Sequence, residues 1–401
     1  MTAAPATGAL LAGRYRLGEK AGAGGFAVVY EAVDTVTDKT VAVKYPNYDS
    51  NNSRTVVDRY FETEADLLRT VMAAGGHPNI MSLLDRGETD RLPYLVVELV
   101  DGYELDEAID RTNVPEAEVR QVGVALCRAM AFLHGNEIVY RDLKPDNVML
   151  TQRDGLITPI LIDFNTATSA TGSGGGTTIL GPYKPPEVAE ATETDARQGP
   201  WSDVYSIGKI LLFLLRGAVP HKDGIDPRDF GVDCEPYLAE IVEKATRTDP
   251  DERYRNATAM ERVLRGRDAT PPPSASLVRH GGDEEYSVYP GDTLGRRDAA
   301  GPAPSIAVRD DEGYVSTVQV QFEHDDGAWQ LRDRSLNGTY IQAGDGWQRV
   351  LCVAGRERLQ QKDEDVTDRH GFIPPESYEL HDGDMVALVH PSYDLLFEFR
   401  T

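Results

Sequence analysis

The chain has 401 residues, of which 40% are hydrophobic and 27% charged, so it is long enough for two or three domains that each bury a core. Its 66 acidic residues against 41 basic ones give a formal net charge of -25, which argues against nucleic acid or anionic lipid as a partner. Three cysteines without a Cys-x-x-Cys pair argue against a disulfide framework and favour a reducing, cytoplasmic location.

Changes in composition predict how the chain is divided. Residues 1–13 are small and apolar, which predicts a flexible tail, and residues 14–268 have strand patterns first and helix patterns later. Residues 269–285 contain three consecutive prolines and predict a linker. Residues 286–401 alternate in short runs separated by turns, which predicts an all-β domain with a polar insertion loop at about 353–377.

The first candidate site is the glycine-rich stretch "EKAGAGGFAVVYEAV". Gly22 and Gly24 lie between two runs that can pair as strands, where backbone N–H groups can approach a phosphate because no Cβ obstructs them. An ordinary hairpin turn is the alternative. Lys44 ends the apolar alternation of "TVAVKYP", where a solvated lysine at a strand end is the alternative.

A helix is predicted in "RYFETEADLLRTV", because four apolar residues can form its inward face. Those residues are Phe61, Leu67, Leu68 and Val71. Glu64 is expected at the edge of that face, and a solvated glutamate is the alternative. A second helix is predicted in "ILLFLLRGAVP", which is too short for a membrane span and is expected to be buried.

Charge is concentrated in "IVYRDLKPDNVML", between two apolar flanks that predict short buried strands. The polar residues between those flanks are Arg141, Asp142, Lys144, Asp146 and Asn147. A solvated turn is the alternative for this stretch alone. Asp163 ends the apolar run "ITPILID", where a carboxylate is costly unless it has a cationic or metal partner.

Taken together in their order along the chain, these residues resemble the eukaryotic-type protein kinase family. The resemblance covers the chain from Tyr15 to about Arg267. The Arg-Asp pair followed five residues later by Asn, its catalytic-loop pattern, is matched by Arg141, Asp142 and Asn147. The resemblance implies a bilobal α+β kinase fold that transfers the γ-phosphate of ATP to protein substrates, with Mg²⁺ or alternatively Mn²⁺. With Lys144, the stretch "DLKPDN" resembles serine/threonine kinases rather than tyrosine kinases, which implies Ser or Thr as the acceptor.

The resemblance also implies a role for each polar residue. Asp142 would orient the substrate hydroxyl, and Lys144 would offset charge on the γ-phosphate. Lys44 would hold the α- and β-phosphates with Glu64 as its ion-pair partner. The metal ion would be held by Asn147 and Asp163, with Phe164 packed beside Asp163.

Further residues match the family's nucleotide pocket and its structural contacts. Val97 would lie at the back of the adenine pocket, and the backbone from Glu98 to Val100 would bond the base. The full nucleotide-binding set is Gly22, Gly24, Ala27, Val29, Ala42, Lys44, Val97, Glu98 and Val100. The structural residues are Glu187, expected to pair with Arg253, and Asp203, expected to anchor the catalytic-loop backbone.

Three departures from the family pattern bear on activity. Ala27 replaces the third glycine of the phosphate loop, and Asn165 replaces the glycine after Phe164. Leu180 stands where a threonine is usual. A catalytically silent pseudokinase scaffold that binds nucleotide and recruits phosphorylated partners is therefore the alternative to an active kinase.

A switch is also implied by the resemblance. An arginine in the position of Arg141 often meets a phosphate on the activation segment, whose sequence here is "SATGSGGGTTIL". We expect autophosphorylation at Thr177 or Thr178 of that segment.

The C-terminal part carries three spaced polar residues. Arg296 ends a predicted strand, Ser316 precedes an alternating strand, and Asn337 begins an Asn-Gly turn in "RSLNGTYI". Together they resemble the forkhead-associated (FHA) domain, a β-sandwich that reads phosphothreonine. The resemblance implies that Arg296 contacts the phosphate, Ser316 donates its hydroxyl, and Asn337 holds the peptide backbone. This chain departs from the resembled pattern at three positions: Thr317 replaces the arginine that commonly follows the serine, Gln319 replaces a histidine, and Leu336 replaces a residue that is frequently polar.

The implied partners follow from the two resemblances. The kinase would act on proteins with Ser or Thr acceptors. The FHA-like domain would bind a phosphothreonine-containing partner, or the activation segment of a second molecule, for recruitment or self-association.

Overall fold

The structure is a computed structural model of the chain. It describes residues 7–89, 91–109, 114–136, 138–153, 155–164, 168–169, 181–189, 198–270, 273–282, 284–296, 304–310, 312–344, 346–362, 366–367 and 371–401. The chain divides into two compact units, Met1–Pro271 and Pro272–Thr401. No helix within the described ranges is long and apolar enough to cross a lipid bilayer.

The first unit opens with an antiparallel sheet in the order β1-β2-β3-β4-β6-β5. Its strands are β1 Leu10–Leu11, β2 Tyr15–Ala23, β3 Ala27–Asp34, β4 Lys39–Pro46, β5 Leu83–Thr89 and β6 Leu92–Glu98. Helix α1, Arg54–Ala73, contacts β4 and β5, and it confirms the helix predicted around Phe61. Leu68 and Val71 are buried on its inward face as predicted.

The rest of the first unit is mainly helical. Its helices are α2 Leu105–Ile109, α3 Glu116–His134, α4 Pro186–Ala189, α5 Pro200–Arg216, α6 Pro236–Ala245 and α7 Ala257–Gly266, with 3-10 turns at Pro145–Asn147, Pro227–Phe230 and Pro250–Glu252. Its short strands are β7 Tyr103–Glu104, β8 Ile138–Val139, β9 Val148–Arg153, β10 Leu156–Leu161 and β11 Thr168–Ser169. Helix α5 is buried from Ser202 to Leu214, which confirms the buried helix predicted at Ile210.

The second unit consists of two sheets, in the orders β13-β12-β22-β21-β18-β19 and β15-β14-β16-β17-β20. The elements are β12 Ala275–Arg279, β13 Glu285–Val288, β14 Thr293–Arg296, β15 Ile306–Val308, β16 Val320–Asp325, β17 Ala328–Asp333, β18 Thr339–Ala343, β19 Gly346–Val350, α8 Val353–Gln361, β20 Ser377–Leu380, β21 Met385–Leu388 and β22 Leu396–Arg400. Buried side chains from both sheets, including Leu277, Phe322, Leu331 and Phe397, form one core. This confirms the all-β sandwich expected for this part of the chain.

Two segment predictions were wrong in part. The predicted linker 269–285 contains β12, which pairs with β22 and β13 and buries Ala275 and Leu277 in the core. The short "SASLV" alternation behind the prolines was too brief to indicate a strand. The predicted insertion loop at 353–377 begins with helix α8, whose Leu359 is its one buried large apolar side chain. Such a helix has almost no apolar period, so its sequence resembles a loop.

Candidate functional sites

A buried ion pair joins the first sheet to helix α1. Lys44 on β4 and Glu64 on α1 form an ion pair between Nζ and Oε1. Glu64 is 0% exposed, so the prediction that it lies at the edge of the buried face was wrong. A glutamate can be buried there because Lys44 compensates its charge. Burial alone would lower the pKa of the Lys44 ammonium, but the Glu64 and Asp163 carboxylates outweigh it and raise that pKa.

The sheet register aligns the residues expected to line a nucleotide. Gly22 on β2 is paired with Val29 on β3, and Val29 is paired with Lys44 on β4. Ala42, two residues before Lys44 on the same face of β4, is paired with Val97 on β6. A Cβ built at Gly22 meets no atom within 4 Å, so the space in front of this glycine is open to a ligand.

The remaining nucleotide-binding candidates lie near these strands. Ala27 begins β3 and is buried, and Gly24 donates its N–H to the Ala27 carbonyl oxygen at 2.8 Å. Glu98 ends β6, where Arg153 Nη2 donates to its Oε1 at 2.7 Å. Val100 follows two residues later and is half-buried.

The polar catalytic-loop stretch folds back on itself between β8 and β9. Asn147 Nδ2 donates to the Asp142 carbonyl oxygen at 2.7 Å and to its Oδ2 at 3.1 Å. Lys144 Nζ lies 3.6 Å from the same Oδ2. Burial raises the pKa of the Asp142 carboxyl, and Lys144, Asn147 and Lys184 each act to lower it. A carboxylate, an ammonium and an amide are thus brought together at one point.

Asp163 is held close to this loop by backbone contacts. The N–H of Ile162 donates to the Asn147 carbonyl oxygen at 3.1 Å, which joins the segment before Asp163 to the loop. The Tyr140 hydroxyl donates to the Asp163 carbonyl oxygen, and the Tyr140 ring packs edge-on against Phe164 with centroids 5.3 Å apart. Sequence reasoning assigned no role to Tyr140, although a hydroxyl in an apolar run requires a hydrogen-bond partner.

The backbone before Asp142 is strained, and Asp203 stabilises it. Arg141 has a φ of +67°, a conformation that non-glycine residues seldom adopt. The fully buried Asp203 accepts the Arg141 N–H at 2.7 Å on Oδ1 and the Tyr140 N–H at 2.9 Å on Oδ2. His134 Nε2 lies 2.8 Å from the same Oδ2, a contact that sequence reasoning did not identify.

A second buried ion pair joins α4 to the turn before α7. Arg253 donates to Glu187 through both Nη atoms, at 2.8 Å to Oε1 and 2.9 Å to Oε2. Ser202 Oγ donates to Oε1 at 2.8 Å, and Arg253 Nε donates to the Arg247 carbonyl oxygen at 2.7 Å. The predicted pairing of Glu187 with Arg253 therefore exists, as a bidentate buried contact.

Four residues singled out from the sequence lie outside the described ranges. They are Asn165, Thr177, Thr178 and Leu180.

In the second unit, Arg296 ends strand β14, whereas Ser316 and Asn337 lie on two neighbouring loops. Arg296 N–H donates to the Ser316 carbonyl oxygen at 2.9 Å. Ser316 Oγ accepts the Leu336 N–H at 3.3 Å, and Asn337 Nδ2 donates to the Tyr314 carbonyl oxygen at 2.7 Å. These hydrogen bonds connect the end of β14 and the Asn337 loop to the loop that carries Ser316.

Buried polar side chains fix these loops. Gln319, 0% exposed, accepts the Ser316 N–H at 3.0 Å and donates to the Gly338 carbonyl oxygen at 2.8 Å. It therefore links the two loops in place of the histidine usual in the resembled pattern. Asp333 Oδ1 accepts the hydroxyls of Ser335 and Thr339, each at 2.9 Å, which holds the turn that contains Asn337.

Close backbone approach also requires a glycine here. A Cβ at Gly295 would lie 2.2 Å from the Thr317 carbonyl oxygen. Any larger residue would therefore separate β14, which ends at Arg296, from the Ser316 loop.

Two protein-family models match the chain. One, described as "Protein kinase domain", matches residues 15–265, and the other, described as "FHA domain", matches residues 293–364. The first range contains the candidate residues of the first unit. The second contains Arg296, Ser316 and Asn337.

Curated relatives agree with the first of these matches. The chain is 33% identical over 280 residues to the serine/threonine-protein kinase PknB of Mycolicibacterium smegmatis, covering 63% of this chain and 43% of the relative. It is 31% identical over 273 residues to the serine/threonine-protein kinase PrkC of Bacillus subtilis, covering 63% and 40%. It is 33% identical over 312 residues to the probable serine/threonine-protein kinase SCO3848 of Streptomyces coelicolor, covering 70% and 44%. The matched region spans less than half the length of each relative.

Proposed function

The chain belongs to the protein kinase domain family and carries an FHA domain after its kinase domain, and we propose that it transfers the γ-phosphate of ATP to Ser or Thr of protein substrates. The observation that carries this proposal is the joint presence of two arrangements. Lys44 is paired with Glu64, and Asp142 is held by Asn147 beside Lys144. An enzyme of this kind acts mainly by positioning the acceptor and stabilising negative charge.

Each side chain then has a task in the transfer. Asp142 accepts the hydrogen bond of the substrate hydroxyl and orients its oxygen towards the γ-phosphorus. Lys44, kept charged by the neighbouring carboxylates, holds the α- and β-phosphates. Lys144 offsets charge that develops on the γ-phosphate, and it is half-buried beside Asp142, where such a contact is feasible.

The donor set fits a small divalent cation. Asn147 uses its Nδ2 on Asp142, so its amide oxygen can serve as a ligand, and Asp163 supplies a carboxylate. Oxygen donors of this kind suit Mg²⁺, with Mn²⁺ as the alternative. The bound ion would neutralise phosphate charge, and the protein would contribute the Asn147 and Asp163 oxygens.

A phosphate-operated switch is part of the proposal. Burial lowers the pKa of the Arg141 guanidinium, and its buried Nε has no hydrogen-bond partner among the described residues. A buried guanidinium nitrogen without a hydrogen-bond partner favours an anionic partner. We therefore expect autophosphorylation at Thr177 or Thr178 to supply a phosphate for Arg141.

The second unit is proposed to read phosphothreonine. Arg296 would contact the phosphate, Ser316 would donate its hydroxyl, and Asn337 would bond the peptide backbone. The hydrogen bonds that tie the end of β14 and the Asn337 loop to the Ser316 loop support the assignment. The bound phosphothreonine would belong to a partner protein or to the activation segment of a second molecule.

The transfer reaction is tested by incubating the purified chain with ATP and Mg²⁺ and mapping phosphorylation by mass spectrometry. We expect phosphorylation of a generic Ser/Thr substrate and of Thr177 or Thr178, and none with the Asp163→Ala variant. Nucleotide binding without transfer would instead support the catalytically silent scaffold. Full activity with both threonines unmodified would contradict the switch alone.

A further inference from the structure

Helix α8 is fixed to the turn that carries Asn337. Cys352, which caps the helix, donates its N–H to Asp333 Oδ2 at 2.9 Å, and its Sγ contacts the Ser335 carbonyl oxygen at 3.0 Å. A Cβ at Gly355 would lie 2.9 Å from that same carbonyl oxygen, so the helix approaches the turn closely. The position of α8 relative to Asn337 is therefore defined by several contacts.

Helix α8 brings a guanidinium directly to Asn337. Arg358 Nη1 donates to the Asn337 Oδ1, and it lies 3.3 Å from the Leu336 carbonyl oxygen. Arg349, on β19, donates through Nη2 to the Asn337 carbonyl oxygen at 2.8 Å. The residue proposed to hold the peptide backbone is thus in contact with two arginines.

Arg358 differs from its neighbour Arg356 in its charge partners. Arg356 lies 3.5 Å from Glu376, whereas Arg358 has no carboxylate within ion-pair distance in the part of the chain that the structure describes. Its contacts there use Nη1 alone, and the side chain is half-buried. The rest of the guanidinium can therefore donate to a bound carboxylate, for which its planar geometry is suited.

We propose that Arg358 makes the second unit selective for phosphothreonine peptides with an acidic residue close to the phosphothreonine. The inference rests on the proposed phosphothreonine reading. Because Arg296 is the cation assigned to the phosphate, and Arg358 contacts the residue assigned to the peptide backbone, Arg358 lies where a flanking side chain would pass. A carboxylate there gains a charge-assisted hydrogen bond that an alanine cannot make.

The test uses the full chain and synthetic fluorescent peptides with a central phosphothreonine. One peptide has aspartates on both sides of the phosphothreonine, one has alanines, and a third carries the aspartates with unmodified threonine. Dissociation constants are measured by fluorescence anisotropy for the unaltered chain, Arg358→Ala and Arg358→Lys. Arg400→Ala is the control, because it removes one arginine of the same unit that is exposed and paired with Glu398.

We expect the unaltered chain to bind the aspartate phosphopeptide roughly tenfold more tightly than the alanine phosphopeptide, about the effect of one charge-assisted hydrogen bond. Arg358→Ala should abolish this difference in affinity between the two phosphopeptides. Arg358→Lys should retain part of the difference, and Arg400→Ala should leave it unchanged. If Arg358 had a merely structural role, its replacement by Ala would weaken the binding of both phosphopeptides equally. Thermal unfolding of each variant measures whether the second unit stays folded.

Three results would overturn the inference. If Arg358→Ala keeps the difference in affinity while binding still requires the phosphate, acid selectivity does not come from Arg358, and the phosphothreonine reading stands. If Arg358→Ala tightens the binding of both phosphopeptides equally, α8 competes with the peptide instead of selecting it. If the unaltered chain binds the phosphorylated and unmodified aspartate peptides equally, the phosphothreonine reading fails and the inference fails with it.

Discussion

The first unit, which contains the kinase domain, and the second unit, which contains the FHA domain, hold their candidate functional groups in different ways. In the first unit, charged side chains from separate elements compensate each other inside the core, as Lys44 and Glu64 do between β4 and α1. In the second unit, Arg296 at the end of β14 and Asn337 on a loop are both half-buried, and each donates to a backbone carbonyl oxygen. The buried groups support the fold and the chemistry together, whereas the half-buried groups can change with less effect on the fold.

This difference follows from the cost of burying charge. A buried charge that loses its partner destabilises the protein strongly, while a half-exposed cation can be hydrated instead. Substitutions in the first unit should therefore alter stability or turnover severely. Substitutions at the loops of the second unit should alter binding selectively.

The largest expected effect is at the Glu187–Arg253 pair. Arg253→Ala leaves the Glu187 carboxylate buried without its bidentate partner and should destabilise the first unit by about 3–5 kcal/mol. Chemical unfolding of the full chain, followed by tryptophan fluorescence, measures the loss. Arg400→Ala is the control, since its pair with Glu398 is exposed and its removal should change stability little. Equal stability of both variants would contradict the comparison.

The next effect concerns turnover. Lys44→Ala and Asp142→Asn should each reduce phosphoryl transfer by at least ~100-fold, because each removes a group that positions the substrates or stabilises charge in the transition state. Steady-state assays with a generic Ser/Thr peptide provide the rates. Lys39→Ala, an exposed lysine at the start of β4, is the matched control and should retain normal rates. Near-normal turnover in both site variants would contradict the catalytic assignment.

In the first unit, the sequence predicts well which candidate residues come together where those residues are contiguous. Asp142, Lys144 and Asn147 lie within six positions, so their spacing alone brings them together. The burial of Glu64 is harder to predict, because a glutamate counts as a polar residue in a helical pattern. Its partner Lys44 becomes adjacent only when α1 packs on the sheet. Tyr140 was missed for a related reason, since its hydroxyl bonds to the backbone of a residue 23 positions away.

The second unit shows the same limit more strongly. The Asn-Gly turn and the alternating strand before it have local signatures, so Asn337 was identified. Helix α8 has no comparable signature, because it is held in place by polar contacts with the turn that contains Asn337. In the sequence, Arg358 is therefore only one charge in a polar stretch. Sequence patterns therefore predict elements that bury apolar side chains better than elements held by polar contacts.

A smaller effect is expected at Arg296. Arg296→Ala should weaken phosphothreonine peptide binding by at least about tenfold, because a charge-assisted contact to the phosphate is lost. Calorimetry with phosphorylated and unmodified threonine peptides measures the change. The thermal unfolding curve should stay close to that of the unaltered chain, unlike that of Arg253→Ala. Unchanged phosphopeptide affinity would leave the second unit as a β-sandwich without the reading function.

The smallest expected effect concerns the pH dependence of the kinase. Burial raises the pKa of the Asp142 carboxyl, and the ammonium of Lys184 is one of the groups that oppose this shift. Activity requires the carboxylate and falls as the pH drops through that pKa. Replacing Lys184 with Met removes a positive charge, so the Asp142 pKa should rise further and the acid limb of the profile should move to higher pH.

The measurement is the pH dependence of kcat/KM for the unaltered chain and Lys184→Met. Lys39→Met is the control, because it removes one charge from an exposed position of the same unit and should leave the acid limb in place. A shift in both variants would indicate a general charge effect of the unit. A shift confined to Lys184→Met would identify this lysine as a group that lowers the pKa of the Asp142 carboxyl. Asp142 and Lys184 would then compensate each other's charge, as Lys44 and Glu64 do.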